Sequence, residues 1–285
     1  MIVKIVKKIL SKTVCRIKLV RNFLDFIERF FNRHVDIYNA NTIKGWSFVI
    51  VTDGQSNDVL SQCLTSILDE KLREHYEIIF VGQNSDVPIV DERISYIKYH
   101  SIFCLPGWIT YKKNIGAKRS KYNKIVFMHD YITLCEGWES GFNSMPEYFD
   151  VCTNKIHYID GRRARDWTVY DYPNIGQALI PYSQKINEYW YSSGAYFICD
   201  KQFYLRNPLS EKLRWGEGED VEWARRIRKN AIIVFNPNST CKFVKLKPID
   251  EAPYCDNWIL QTIQLYKKFG IELNKDNYIR MVKKI

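Results

Sequence analysis

No stretch of this sequence reaches the roughly 20 uninterrupted apolar residues of a bilayer span, because charges break every long run. The basic start also lacks an unbroken signal-type core, so neither a membrane crossing nor secretion is expected. There is no C-x-x-C pair: Cys15, Cys63, Cys104, Cys135, Cys152, Cys199, Cys241 and Cys255 are scattered without zinc-like spacing. Reduced, structural thiols and a cytoplasmic setting follow. Internal repeats and low-complexity linkers are missing too, and 285 residues at 46% hydrophobic content suffice for one sizeable core.

A second long basic run is absent, which argues against a nucleic-acid groove despite the net charge of +10. Most of that charge lies between Met1 and Arg33, where Lys4, Lys7, Lys8, Lys12, Arg16, Lys18, Arg21, Arg29 and Arg33 face only Asp25 and Glu28. The same segment sets Ile2, Val6, Ile9, Ile17, Val20, Leu24, Ile27 and Phe31 at helical spacing. Residues 1–42 are therefore expected to be a basic amphipathic helical extension. Two readings stand: the stripe lies on the anionic inner face of a membrane, or it packs on the main domain and exposes the lysines.

From Trp46 the pattern changes. Trp46–Thr52 reads as a buried strand that ends at Asp53, and Leu60, Leu64, Ile67 and Leu68 follow with helical period. Tyr76–Val81, Ile94–Tyr99 and Lys124–Met128 read as further strands, with a helix starting at Lys112. Strands alternating with helices imply an α/β fold with a mostly parallel, doubly wound sheet, whose ligands bind beyond the carboxyl ends of the strands. That rule selects Thr52, Asp53, Gly82 to Ser85, and His129 to Tyr131.

In order and spacing, S-F-V-I-V-T (47–52), C-L-T-S-I-L (63–68), Y-E-I-I-F-V-G (76–82), K-K-N-I-G-A-K (112–118) and I-V-F-M-H-D-Y (125–131) resemble family 2 glycosyltransferases of the GT-A fold. Ser193–Ile198 and Trp215–Trp223 resemble the acceptor-side strand and the acidic, glycine-rich motif of the same enzymes. The resemblance spans residues 46–230. It implies a Rossmann-like GT-A domain over 43–250, with a nucleotide-sugar-binding half (43–135) and an acceptor half (136–250), then a C-terminal helical segment (251–285). It also implies sugar transfer from a nucleotide-sugar donor to a glycan or lipid-linked glycan acceptor, as in surface polysaccharide synthesis.

Such chemistry needs a base at the acceptor hydroxyl and positive charge or a metal at the leaving diphosphate. Glu217, Glu219, Asp220 and Glu222 crowd one segment, where neighbouring carboxylates raise one another's proton affinity. By resemblance Asp220 is the base of an inverting transfer and Glu219 holds acceptor hydroxyls, with Trp215, Gly216 and Glu217 on the acceptor side. The bland alternative is a solvated helix start that suits acidic residues. His129-Asp130-Tyr131 stands where the family carries Asp-x-Asp, so one carboxylate remains. His129 and Asp130 are the candidates for a divalent ion, manganese suiting imidazole better than magnesium; otherwise His129 is a hydrogen-bonded strand end.

Gln83 replaces the family's base-reading acid, and Asp53 is open to reading as a ribose ligand or a helix cap. Lys113 and Asn114 are placed near the donor by resemblance. The stretch Asp160–Asp171 has no clear period and reads as a lid or acceptor clamp through Asp166 and Trp167, with Arg162, Arg163 and Arg165 as phosphate ligands, or as a plain surface loop. A nucleotidyltransferase is disfavoured, since no glycine-rich, arginine-containing loop follows the first strand. A non-catalytic binder of sugar or nucleotide is the other alternative.

Overall fold

The computed structural model describes residues 17–33, 43–53, 57–83, 89–102, 105–185, 188–246 and 248–283. Ile2, Val6, Ile9, the five basic residues up to Arg16, and Ser85 lie outside these residues.

Four strands carry the first half: β1 (Ile43–Val51), β2 (Tyr76–Gly82), β3 (Ile94–Lys98) and β4 (Tyr122–His129). They pair in parallel, and β1 sits between β2 and β4. A central parallel strand is covered on both faces, which is why Phe48, Val49 and Ile50 form an unbroken apolar run and are all fully buried. Alternation still sorts them. Phe48 and Ile50 pack with Leu60, Leu64 and Ile67 of α2 (Asn57–Asp69), while Val49 joins the opposite core with Phe127 and Phe197.

The second half adds β5 (Ile132–Leu134), β6 (Val151–Tyr158), β7 (Thr168–Tyr172), β8 (Gly176–Leu179), β9 (Trp190–Tyr191), β10 (Tyr196–Asp200) and β11 (Ile233–Phe243). Among the described residues the main sheet has the order β3-β2-β1-β4-β10-β6-β11-β5, with β8-β7-β9 as a small separate sheet. β10 runs antiparallel to β4, so the chain reverses where the two halves meet. The remaining helices are α1 (Lys18–Asn32), α3 (Ile109–Arg119), α4 (Lys201–Arg206), α5 (Glu219–Ile227), α6 (Asp256–Lys268) and α7 (Lys275–Lys283). This is the expected α/β, GT-A-type layering of a mostly parallel sheet flanked by helices. No helix among the described residues is long and apolar enough to cross a membrane.

Two expectations are corrected. The Asp160–Asp171 stretch is not a loop throughout: Thr168–Tyr172 is β7, and Arg163 and Asp166 are buried as an ion pair at 2.9 Å. Of the two readings of the N-terminal helix, the one that packs its apolar stripe on the domain is overturned in α1. Its polar face meets the domain, with Glu28 and Asn32 fully buried, while Leu19, Phe23, Phe26 and Phe30 are exposed. The reason is the partner surface, which offers Arg214, Tyr99 and the backbone of His100 and Ile102 as hydrogen-bonding groups to Glu28 and Asn32.

Candidate active site

Parallel register aligns the strand ends. Val51 pairs with both Val81 and His129, so Thr52, Gly82 and Asp130 emerge at one edge. There the Thr52 hydroxyl donates to Asp130 Oδ2 at 2.6 Å. Gly82 is required by close approach, since a Cβ would lie 2.4 Å from Thr52 Cγ2. Asp53 and Gln83 are exposed beside this pair, and the Gln83 amide donates to the Ser101 carbonyl at 3.4 Å. His129 is half-buried, with Nδ1 3.1 Å from the Tyr131 hydroxyl and its backbone N–H donating to Ala195 O at 3.0 Å.

Helix α3 begins at Ile109, three residues before the expected start, because Ile109 and Tyr111 bury an apolar first turn against the sheet. Lys112 and Lys113 are therefore interior helix residues and do not stand at an exposed helix start. Lys112 Nζ donates to the Thr52 carbonyl at 3.2 Å. Burial pulls its ammonium down to about 8, against the opposing pull of Glu28, Asp53 and Asp130. Lys113 Nζ donates to the Gly194 carbonyl across the strand boundary. It too is lowered to about 8 by burial, with Glu219 and Asp220 working the other way. Asn114 does not join them: its amide donates to Leu209 O and Glu211 Oε1 and accepts from the Tyr204 hydroxyl, which pins α3 to the body of the domain.

The acidic segment divides. Gly218 adopts the left-handed conformation (φ +75) that precedes α5, leaving Glu219 and Asp220 in the first turn, where the helix dipole favours them. Asp220 Oδ2 accepts the Gly194 N–H at 3.0 Å and Oδ1 accepts the Val221 N–H at 2.9 Å. Burial and then the neighbouring Asp220 raise the Glu219 carboxyl above its usual range, opposed by Lys113. Glu217 turns the other way. Burial would raise it, but the Arg21 guanidinium at 2.5 and 3.0 Å and the Arg214 N–H hold it low. Glu222 pairs with Arg226 on its own helix.

Trp215 is 56% exposed, its N–H tied to the Gly107 carbonyl, and Gly216 follows with φ +80. Beside them opens a cleft of about 560 Å³ lined by Tyr170, Leu213, Gly218, Val221 and Arg225. Asp166 and Trp167, expected as acceptor contacts, do not reach this cluster. Asp166 is fully buried and accepts from Arg163, Tyr182 and the backbone of Ile156 and Trp167, and the Trp167 indole donates to Gln184 O. Both are spent on the fold. Arg162 is likewise held by Asp160 and Glu251. Lys112 is the residue the sequence reading passed over, and its burial beneath Thr52 left no mark in the local pattern.

Among the described residues no three or more His, Cys, Asp or Glu side chains gather into a metal cluster. Asp130 offers one carboxylate, with one oxygen already accepting from Thr52. This donor set does not fit an all-protein cage. It fits the mode in which a hard divalent ion takes one or two carboxylates and completes its shell with substrate phosphates.

Lys113 supplies a stability test. Replacing a buried, charged ammonium removes its desolvation cost, so Lys113→Met should raise stability at pH 7 by on the order of 1–2 kcal/mol, even with its hydrogen bond lost. The sign follows from a folded-state value of about 8 below the ordinary 10.5. The unfolded chain holds more protons between these values, so the wild type gains stability as pH rises through that window and the advantage of Lys113→Met shrinks. Denaturant melts at pH 7 and pH 10 measure it.

No protein-family model matches the chain, and no curated protein sequence matches it. Among solved structures it is similar to GalNAc-T7 with UDP, GalNAc and Mn2+, at 15% identity and TM-score 0.55, over 72% of this chain and 44% of that one. It is also similar to S. aureus TarS 1-349, at 11% identity and TM-score 0.50, over 84% of this chain and 81% of that one. The same TarS segment in complex with UDP gives 12% identity and TM-score 0.50, over 84% and 70% of the two chains. This chain thus spans less than half the length of the GalNAc-T7 chain. At these identities the likeness establishes the GT-A fold.

Proposed function

We propose that this protein is a glycosyltransferase that moves a sugar from a nucleotide-sugar donor, with UDP the first nucleotide to test, onto a glycan or lipid-linked glycan of a surface polysaccharide. The observation behind this reading is the short path from Asp130 to Asp220: His129 donates to Ala195, and the adjoining Gly194 donates to Asp220. Asp130, which follows β4, and Asp220, which accepts from the residue two before β10, thus lie near the junction of the two strands, and we read them as the donor-side and acceptor-side carboxylates. UDP in the GalNAc-T7 and TarS structures supports the choice of nucleotide.

In this proposal residues 43–135 bind the donor through Thr52, Asp53, Gln83, Asp130 and the lysine pair, and residues 136–250 bind the acceptor. Asp220 removes the proton of the acceptor hydroxyl as that oxygen attacks the anomeric carbon. The anomeric C–O bond breaks on the far side, the electron pair departs with the nucleotide diphosphate, and configuration inverts. Glu219 holds acceptor hydroxyls. Lys113, buried with its Nζ on the Gly194 carbonyl, opposes the rise of the Glu219 carboxyl. Asp130, with His129 beside it, would hold a divalent ion, which when bound would neutralise charge on the diphosphate.

Release of UDP from a panel of UDP-sugars tests the reading. Slow hydrolysis without acceptor, accelerated by glycan acceptors, is expected; a donor that binds and stays intact would make the protein a binder instead. Chelation should reduce turnover at least tenfold by an estimate of about 1.4 kcal/mol or more for a lost phosphate-charge contact. Manganese should restore it better than magnesium, and Asp130→Asn should remove the restoration. Turnover indifferent to chelator would transfer the role at the diphosphate to Lys112 and Lys113.

A further inference from the structure

Helix α1 is held to the domain by its polar side. Arg21 pairs with Glu217 at 2.5 Å, Arg214 reaches Asp25 at 2.8 Å and Glu28 at 3.0 Å, and Asn32 exchanges two hydrogen bonds with the backbone of His100. Arg29 pairs with Glu211 and lies over the rings of Trp108 and Tyr111. On the opposite side of the helix run Leu19, Phe23, Phe26 and Phe30, spaced four, three and four residues apart and 83%, 61%, 65% and 51% exposed. Val20 and Phe31 widen the stripe at 40% and 59%. The row that faces away from the domain is thus richer in phenylalanine than the row expected from the sequence.

An apolar stripe of this size left outward on a helix whose other face is locked down is an interaction surface. Its charge identifies the occupant. Both acids of the helix, Asp25 and Glu28, are turned inward and committed to Arg214. Lys18 and Arg33 are exposed at its two ends, and exposed Lys212 lies on the segment whose backbone accepts from Arg21. The sixteen residues before Ile17 contain five basic residues and no acid. An apolar strip rimmed by cations, with its acids withdrawn, matches the interface of an anionic bilayer, where phenylalanine enters the acyl boundary and cations meet headgroups. A second copy docked on the same face would bring these cations together and gain no countercharge.

We propose that α1 is a membrane-surface anchor. It lies in the interface plane of an anionic bilayer on Leu19, Phe23, Phe26 and Phe30 while its polar face stays docked to the domain. Because Arg21 and Asp25 grip Glu217 and Arg214 on either side of Trp215, docking holds the segment leading to Asp220 beside the lipid surface. The surface itself stands independently of the catalytic reading.

The test uses the full chain and sedimentation with vesicles of phosphatidylglycerol and phosphatidylcholine in equal parts. The wild type should bind them, bind pure phosphatidylcholine vesicles at least about fivefold less, and release partly on raising salt to about 1 M, where the Debye length falls to 3 Å. Phe23→Ser/Phe26→Ser/Phe30→Ser should lose at least about tenfold in vesicle affinity with an unchanged melting temperature, since the three rings are exposed. Leu19→Ser/Phe26→Ser, at the two most exposed positions of the row, is the second variant should the triple one not fold. The proposal is overturned if the wild type ignores anionic vesicles or if folded variants bind them as well as the wild type does. A concentration-dependent dimer seen by ultracentrifugation without lipid and abolished by the same substitutions overturns it in favour of a second copy.

Discussion

Asp220→Asn is expected to lower transfer to acceptor by two to four orders of magnitude, the range of about 10²–10⁴ that a positioned general base contributes. The substitution keeps the side chain's shape, so the contact from the Gly194 N–H survives if the amide oxygen takes the place of Oδ2. Binding of the donor should persist, because Thr52 and Asp130 lie on the other side of the β4–β10 junction. A fall in kcat with an unchanged thermal shift from UDP therefore assigns Asp220 to the chemistry. The control is Glu222→Gln, four residues before Arg226 and paired with it on the same helix, which should leave kcat within about twofold because an exposed i,i+4 pair contributes about 0.3–0.5 kcal/mol. Full activity in a folded Asp220→Asn variant removes the residue from the base role.

Much of the frame was legible in the sequence, for a specific reason. Strands buried on both faces read as short continuous apolar runs, so Trp46–Thr52, Tyr76–Val81 and Lys124–Met128 fall on β1, β2 and β4 within a few residues. The edge where those strands end then follows from parallel topology alone, which brings together Thr52, Gly82 and Asp130. Side-chain destinations did not follow. Lys112, Lys113 and Asn114 are adjacent in sequence, but successive helical residues point about 100° apart. One therefore lies under Thr52, one against Gly194 and one against Leu209. The four acids of 217–222 divide in the same manner. Glu217 serves α1, Glu222 its own helix, and Glu219 and Asp220 the junction. Asp166 looked available because its partners, Arg163, Tyr182 and the Ile156 amide, converge only in the folded chain. Periodicity likewise finds an amphipathic helix but not the side by which it docks, and α1 docks by the polar one.

That inversion ties α1 to the domain through polar contacts, and Arg214 measures how strongly. Its guanidinium is 1% exposed, donates to Asp25, Glu28 and the Pro106 carbonyl, and lies 4.2 Å from the centre of the Trp108 ring. Glu28 is fully buried and also accepts from the Tyr99 hydroxyl at 2.7 Å. Arg214→Leu keeps apolar volume but leaves the Glu28 carboxylate without its cation, so a loss of about 3–5 kcal/mol is expected, as for other broken buried pairs. Arg214→Leu/Glu28→Gln removes both charges and should recover more than half of the loss, since the remaining amide still accepts from Tyr99. Denaturant melts of the four proteins of this cycle decide it: additive losses would mean that the pair is not coupled and that α1 is held by its other contacts, while strong coupling means that Arg214 and Glu28 hold α1 to the domain as a pair.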